Sequence, residues 1–166
     1  MSREGALVVM IVVAVALLGA LVWAWMRRTR RDAGLSTPIG DVPAGARELA
    51  AFSGLYVATT RHDEPLERLA IRGLAFRSRA EVRVTDAGVV LDLPGQPRML
   101  LPADRLVDIG QASVAIDRVV ERDGLARVSW RTDDGTVVDT YLRPQGASAR
   151  ALVDAIRPIL PTGDAA

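Results

Sequence analysis

His62, Asp63 and Glu64 stand side by side, and no other residues in the chain are better suited to moving a proton or holding a metal ion. An imidazole flanked by carboxylates has the chemistry of a general base or a metal ligand. His62 is the only histidine and there is no cysteine, so no second imidazole and no thiolate can complete a metal shell. The triplet also lies in a polar run, RHDEPLE at 61–67, that reads as a solvated loop around Pro65. Asp123, Asp133 and Asp134 offer a second cluster of acids. No calcium-loop spacing surrounds them, and Asp123 and Asp134 directly precede Gly124 and Gly135, so turn chemistry accounts for them. The chain holds no nucleophile elbow, no phosphate-binding glycine loop, no dinucleotide fingerprint and no H-E-x-x-H. The expectation is a protein without catalytic, cofactor-binding or metal-ligating residues, and so not an enzyme.

The densest basic stretch outside the N-terminus is Arg68, Arg72, Arg77, Arg79 and Arg83. Arg77, Arg79 and Arg83 have the charge to meet anionic headgroups near a bilayer. Glu67 and Glu81 interrupt the run, and alternating Arg and Glu on a strand make a solvated, cross-strand paired face. Trp130 and Tyr141 fall on successive strands of one hairpin, either as core or as the lining of a peptide groove.

The elements that position these groups begin with an anchor. Gly5 to Trp25 is an unbroken uncharged run, followed at once by Arg27, Arg28, Arg30 and Arg31. As a helix it is about 31 Å long, the thickness of a bilayer's hydrocarbon core. The run is too long for a cleavable signal and ends in Trp23, Trp25 and arginines rather than at a small-residue cleavage site. It therefore reads as an uncleaved single-pass helix over about 5–26. Basic flanks stay in the cytoplasm, so the N-terminus should lie outside and the rest of the chain inside. Trp23, Trp25 and the four arginines are the expected membrane-interface residues. Ala16, Ala20 and Ala24 recur every four residues, a stripe that suits either helix packing or plain alanine richness.

Charge divides along the same line. Residues 1–31 hold five arginines against one glutamate, net +4, and residues 32–166 hold sixteen against nineteen acids, net −3. A mildly acidic domain is not built to neutralise phosphates, which argues against nucleic acid as a partner. Residues 32–46, DAGLSTPIGDVPAGA, read as a flexible spacer, and the tail at 162–166 as disordered.

Between them, residues 47–161 carry a β pattern. A short helical turn is expected over Arg47–Phe52, then a strand over Leu55–Thr60 and a short strand over Leu69–Ile71. Strands follow over Ala80–Thr85, Val89–Leu93, Arg98–Leu101, Leu106–Ile109, Val114–Val120, 126–131 and Thr136–Leu142, with turns at 86–88, 94–97, 123–124 and Asp134-Gly135. Ala149, Leu152, Val153, Ile156 and Leu160 then switch to helical spacing, with Ser148 as N-cap and Pro158 near the end. Antiparallel strands of this kind manage their edges by curling into a barrel, which one apolar-faced helix can cap.

The stretch from Gly54 to Leu160 resembles the pleckstrin-homology-like domains of small membrane-anchored actinobacterial proteins. The resemblance is carried by GLYVATT at 54–60, PLERLAIRGLAFR at 65–77, AEVRVTDAGVVLDL at 80–93, LLPADRLVDIG at 100–110, and DGLARVSW through VDTYLRP at 123–144. It implies an α+β, mainly β fold, a bent antiparallel barrel of about seven strands capped by the terminal helix. It brings no catalytic motif. Fold alone does not decide between lipid binding, peptide binding and scaffolding. The resulting expectation is a membrane-anchored docking module with a protein partner, no cofactor and no small-molecule substrate. An anionic-lipid sensor using Arg68, Arg72, Arg77, Arg79 and Arg83, or an accessory subunit of a transporter, are the alternatives.

Overall fold

A computed structural model describes residues 3–32, 34–35, 37–71, 73–74, 76–115, 118–119 and 124–161. The chain divides into two compact units, Met1–Gly34 and Leu35–Ala166.

The first unit is helix α1, Arg3–Asp32, with Glu4 in its first turn. Its uncharged stretch has no polar side to set against a partner surface, and its leucines, valines and tryptophans are exposed. Among the described residues it is the one helix long and apolar enough to cross a membrane, over Glu4–Arg27.

The second unit is mainly β. Its strands are β1 (Glu48–Arg61), β2 (Glu64–Arg68), β3 (Ser78–Thr85), β4 (Gly88–Asp92), β5 (Met99–Pro102), β6 (Leu106–Ala112), β7 (Val114–Ala115), β8 (Arg118–Val119), β9 (Leu125–Arg131) and β10 (Val137–Pro144). Helix α2 (Ala149–Ile156) and a 3-10 turn over Arg157–Ile159 follow. The main sheet runs β5-β4-β3-β1-β10-β9-β6 with β2 added on β1, all antiparallel, and β7 pairs only with β8. Strand β1 holds the sheet together. Its first part pairs with β3 from Glu48 to Tyr56, and its second with β10 from Gly54 to Arg61. An irregularity between Tyr56 and Ala58 falls near that hand-over, and such bulges bend and twist a strand.

The pleat explains which residues are inside. Val138, Thr140 and Leu142 of β10 face Trp130, Val128 and Ala126 of β9, and all six are buried. Tyr56, Val82, Val84, Leu91, Met99 and Leu101 join the same core. Helix α2 closes it with Ala149, Leu152, Val153 and Ile156, packed over β6, β9, β10 and β1. Ser148 caps α2 by accepting from the Ala151 N–H at 3.1 Å, and Pro158 follows within the 3-10 turn.

Several expectations need correction. Residues 47–52 are not a helical turn, because Glu48 to Phe52 are the start of β1, paired with β3. Residues 61–67 are not a plain loop. His62 and Asp63 form a two-residue turn, and Glu64–Arg68 returns as β2, with Arg61 opposite Glu64. Pro65 is tolerated there because β2 pairs on one edge only, with β1. Leu69 and Ile71 are core residues outside any strand. The strand expected over Val114–Val120 is a short hairpin, β7 and β8, and its connecting residues 116–117 lie outside the described set, as do 120–123 with Asp123.

The stretch read as a spacer is partly fixed. Ile39 bridges to Met99, the Leu100 N–H donates to the Pro38 carbonyl at 3.0 Å, and Leu35 packs on the core. Residues 38–40 therefore cover the outer edge of β5, which an uncovered strand would leave open to other chains.

Candidate functional site

Helix α1 carries the residues expected at a membrane interface. Trp23, Trp25, Arg27, Arg28, Arg30 and Arg31 all lie within it. The Arg27 guanidinium stands 5.5 Å from the Trp23 ring centroid, a cation–π pair of an amphipathic ring with a basic flank.

The basic run does not form one patch. The Arg83 guanidinium donates to Asp92 at 2.7 Å, and Arg98 reaches the other oxygen of the same carboxylate at 2.7 Å. Burial works against the Asp92 charge, but the hydrogen bonds from Arg98 and Arg83 outweigh it and hold the carboxyl below its usual range. Arg68 turns back to donate to the Val57 carbonyl. Arg72 lies outside the described residues. Glu81 accepts from the Ser53 hydroxyl at 2.8 Å. Arg77 and Arg79 remain. Both are exposed, and neither makes an ion pair among the described residues. Phe76 beside them is 81% exposed.

Trp130 and Tyr141 do not share a groove. Trp130 lies in the core inside the barrel, whereas Tyr141 packs with Leu125 in a separate cluster. The strand register explains this, because Trp130 pairs with Val138, three residues from Tyr141. Asp134 accepts from the Thr136 N–H at 3.1 Å and from the Thr132 hydroxyl, which with the turn lowers its carboxyl. Asp133 pairs with Arg105. These acids serve their turn and its neighbours.

The most organised polar group lies on the face of β9 and β10 that points away from the core. Asp139 of β10 sits opposite Ser129 of β9 and Thr60 of β1. Alternation alone predicts an exposed acid there, yet Asp139 is fully buried. Ser129 donates to its Oδ1 at 2.6 Å, His62 Nδ1 lies 2.9 Å from the same oxygen, and the Asp63 N–H donates to Oδ2 at 3.1 Å. The carboxylate thus binds the turn of the β1–β2 hairpin to the sheet. Asp63 has φ of 60°, the one non-glycine residue with positive φ among those described. Aspartate tolerates this region, and its clamped N–H holds it there. Outside this clamp, Arg127 reaches Asp63 at 3.6 Å and Asp108 at 2.6 Å.

His62 is therefore not merely a solvated loop residue. Sequence reasoning misses this because Asp139 is 77 positions away. The one available signal is an aspartate inside the apolar run Val137–Leu142. The trio is not a hydrolase triad. In such a triad the imidazole stands between the hydroxyl and the carboxylate, so that it can take the hydroxyl's proton. Here the carboxylate stands between them, and the Ser129 hydroxyl is buried.

No curated protein matches the chain. Residues 36–157 match the family described as bacterial PH domain-like. That span covers most of the chain and all of the antiparallel barrel with its capping helix, and the protein belongs to the bacterial PH domain-like family.

Proposed function

We propose that this protein is a single-pass membrane-anchored docking module rather than an enzyme, kin to the membrane-anchored proteins of actinobacteria. One observation carries the reading: a helix of membrane-spanning length, exposed along its apolar surface, precedes a compact domain of a binding-module family. The arginines after Trp25 favour an outside N-terminus and a cytoplasmic domain at the inner leaflet. Tethering raises the domain's effective concentration at the surface, so a weak protein contact suffices. A reporter fused to the C-terminus and active only in the cytoplasm should be active. Cross-linking of the full chain in its own membrane should capture proteins that the anchor alone does not. Identical profiles for the two would reject protein docking.

A second reading rests on Phe76, Arg77 and Arg79. An exposed aromatic beside two arginines without ion-pair partners among the described residues suits an anionic lipid surface. Residues 35–161 would then bind phosphatidylglycerol vesicles in a salt-dependent way, and Arg77→Ala with Arg79→Ala would abolish it. Absent or salt-insensitive binding discards this reading.

A further inference from the structure

We propose that His62 and Asp63 form a binding site for a divalent transition-metal ion, with Asp139 as the residue that positions both. The argument starts from the ring. His62 directs Nδ1 at the buried Asp139 carboxylate, 2.9 Å away. A carboxylate on one ring nitrogen fixes the tautomer and aims the other nitrogen, the arrangement that supports metal-bound histidines. The other ring nitrogen, Nε2, lies 3.5 Å from Asp63 Oδ2. Two ligands about 2.1 Å from one ion stand about 3–3.5 Å apart at octahedral or tetrahedral angles, so this gap already fits. His62 and Asp63 side chains are 37% and 73% exposed, which leaves an entry path.

The same carboxylate orders both ligand residues. Asp139 takes the His62 ring on Oδ1 and the Asp63 N–H on Oδ2, and Ser129 fixes Asp139 itself. The two ligand residues are therefore held ready on a two-residue turn rather than carried on a mobile loop. A grouping of His62, Asp63 and Asp139 with ligand atoms all within 4.8 Å of one another places negative charge around the imidazole. One imidazole nitrogen with carboxylate oxygen suits Zn²⁺, Ni²⁺ or Cu²⁺ better than Mg²⁺ or Ca²⁺, which take oxygen ligands. Arg127, 3.6 Å from Asp63 Oδ1, is the cation that such an ion must displace or tolerate.

The test uses the untagged full-length protein in detergent, with Cu²⁺ as spectroscopic probe and Zn²⁺ in calorimetry. Cu²⁺ should bind one per chain, with electron paramagnetic resonance coupling from a single imidazole nitrogen, because the chain has one histidine. Asp63→Asn should weaken Zn²⁺ binding at least about tenfold, since Asp63 is a direct ligand and loss of even an outer-shell partner costs that much. Arg127→Gln removes the competing cation and should tighten it. Asp139→Asn, if it folds, should lose affinity and alter the Cu²⁺ spectrum while His62 remains. Should it unfold, Asp63→Asn and Arg127→Gln decide: Asp63 is 73% exposed, and the Arg127 guanidinium, 26% exposed, pairs outward with Asp63 and Asp108. No nitrogen coupling, or a Zn²⁺ affinity unmoved by both substitutions, overturns the site.

Discussion

The Trp130 indole N–H donates to the Thr140 hydroxyl 2.9 Å away, and both residues are fully buried. Thr140 Oγ1 lies 2.9 Å from Thr59 Oγ1, which lies 3.0 Å from the Tyr56 hydroxyl, and that hydroxyl donates to the Leu74 carbonyl at 2.7 Å. Proton inventory fixes the direction. The indole only donates and the carbonyl only accepts, so each hydroxyl passes its single proton onward from Trp130 toward Leu74. The relay ties β9, β10 and β1 to the segment before β3, and every member is satisfied.

Breaking the relay should be costly. Thr140→Val keeps shape but strands the indole N–H and removes a donor to Thr59. The expected loss is about 1–3 kcal/mol, read from urea unfolding of the 35–161 domain. Trp130→Phe in the same chain removes the stranded donor, so the double substitution should cost less than the sum of the two singles. Strict additivity would show that the relay contributes nothing as a unit.

Alkali should unfold the domain as its tyrosines ionise. Burial pushes both Tyr56 and Tyr141 above the ordinary phenol value, and these are the only tyrosines in the chain. A raised pKa in the folded state means that stability is intact below about pH 10, where the unfolded phenol titrates, and is lost as pH rises beyond it. Absorbance at 295 nm and circular dichroism, followed together against pH, should change in one transition. A tyrosinate signal that develops near pH 10 while the fold persists would contradict the burial.

The domain should need its strap. A chain begun at Arg47 lacks Leu35, the Ile39–Met99 bridge and the carbonyl of Pro38 that accepts from Leu100. Two main-chain hydrogen bonds and a partly buried leucine amount to about 1–3 kcal/mol. Begun at Leu35, the same domain should melt higher and stay monomeric in analytical ultracentrifugation. Begun at Arg47, it should self-associate through the bared β5 edge. Equal stability of the two would mean that the strap pairs without effect.

The strap shows why some of this fold is legible in the sequence and some is not. Alternation places Val138, Thr140 and Leu142 on one face, and helical spacing with Ser148 finds α2 and its cap, because those signals are local. Residues 38–40 pair only through main-chain atoms, and their Gly- and Pro-rich composition reads as spacer. The β1–β2 turn is hidden for a related reason: Asp63 takes the left-handed position where glycine or asparagine would announce a hairpin. What holds it there, Asp139, is distant in sequence. Alternation reads Arg83 as part of a cross-strand paired face, but its partner Asp92 is identified only once β3 and β4 are in register. Local periodicity finds the elements, and only tertiary pairing shows which charges are satisfied.

The β3–β4 turn gives the sharpest steric test. Gly88 lies opposite Pro102, with φ of 147°, and accepts at its carbonyl from the Thr85 hydroxyl at 2.9 Å. A Cβ at Gly88 would stand 2.2 Å from the Leu101 carbonyl oxygen and 2.9 Å from Pro102 Cα. Both are backbone atoms of a paired strand, so relief requires β4 and β5 to part. Gly88→Ala should cost about 3 kcal/mol or more, through strain at a disallowed backbone position and loss of ladder bonds. Gly135, with φ of 85° and open space around its Cβ direction, is the control. Gly135→Ala there meets only the left-handed penalty, about 1–2 kcal/mol. Urea midpoints for the two variants should therefore separate clearly. If they coincide, the contact at Leu101 does not limit residue 88, and the pairing of β4 with β5 is looser than the register implies.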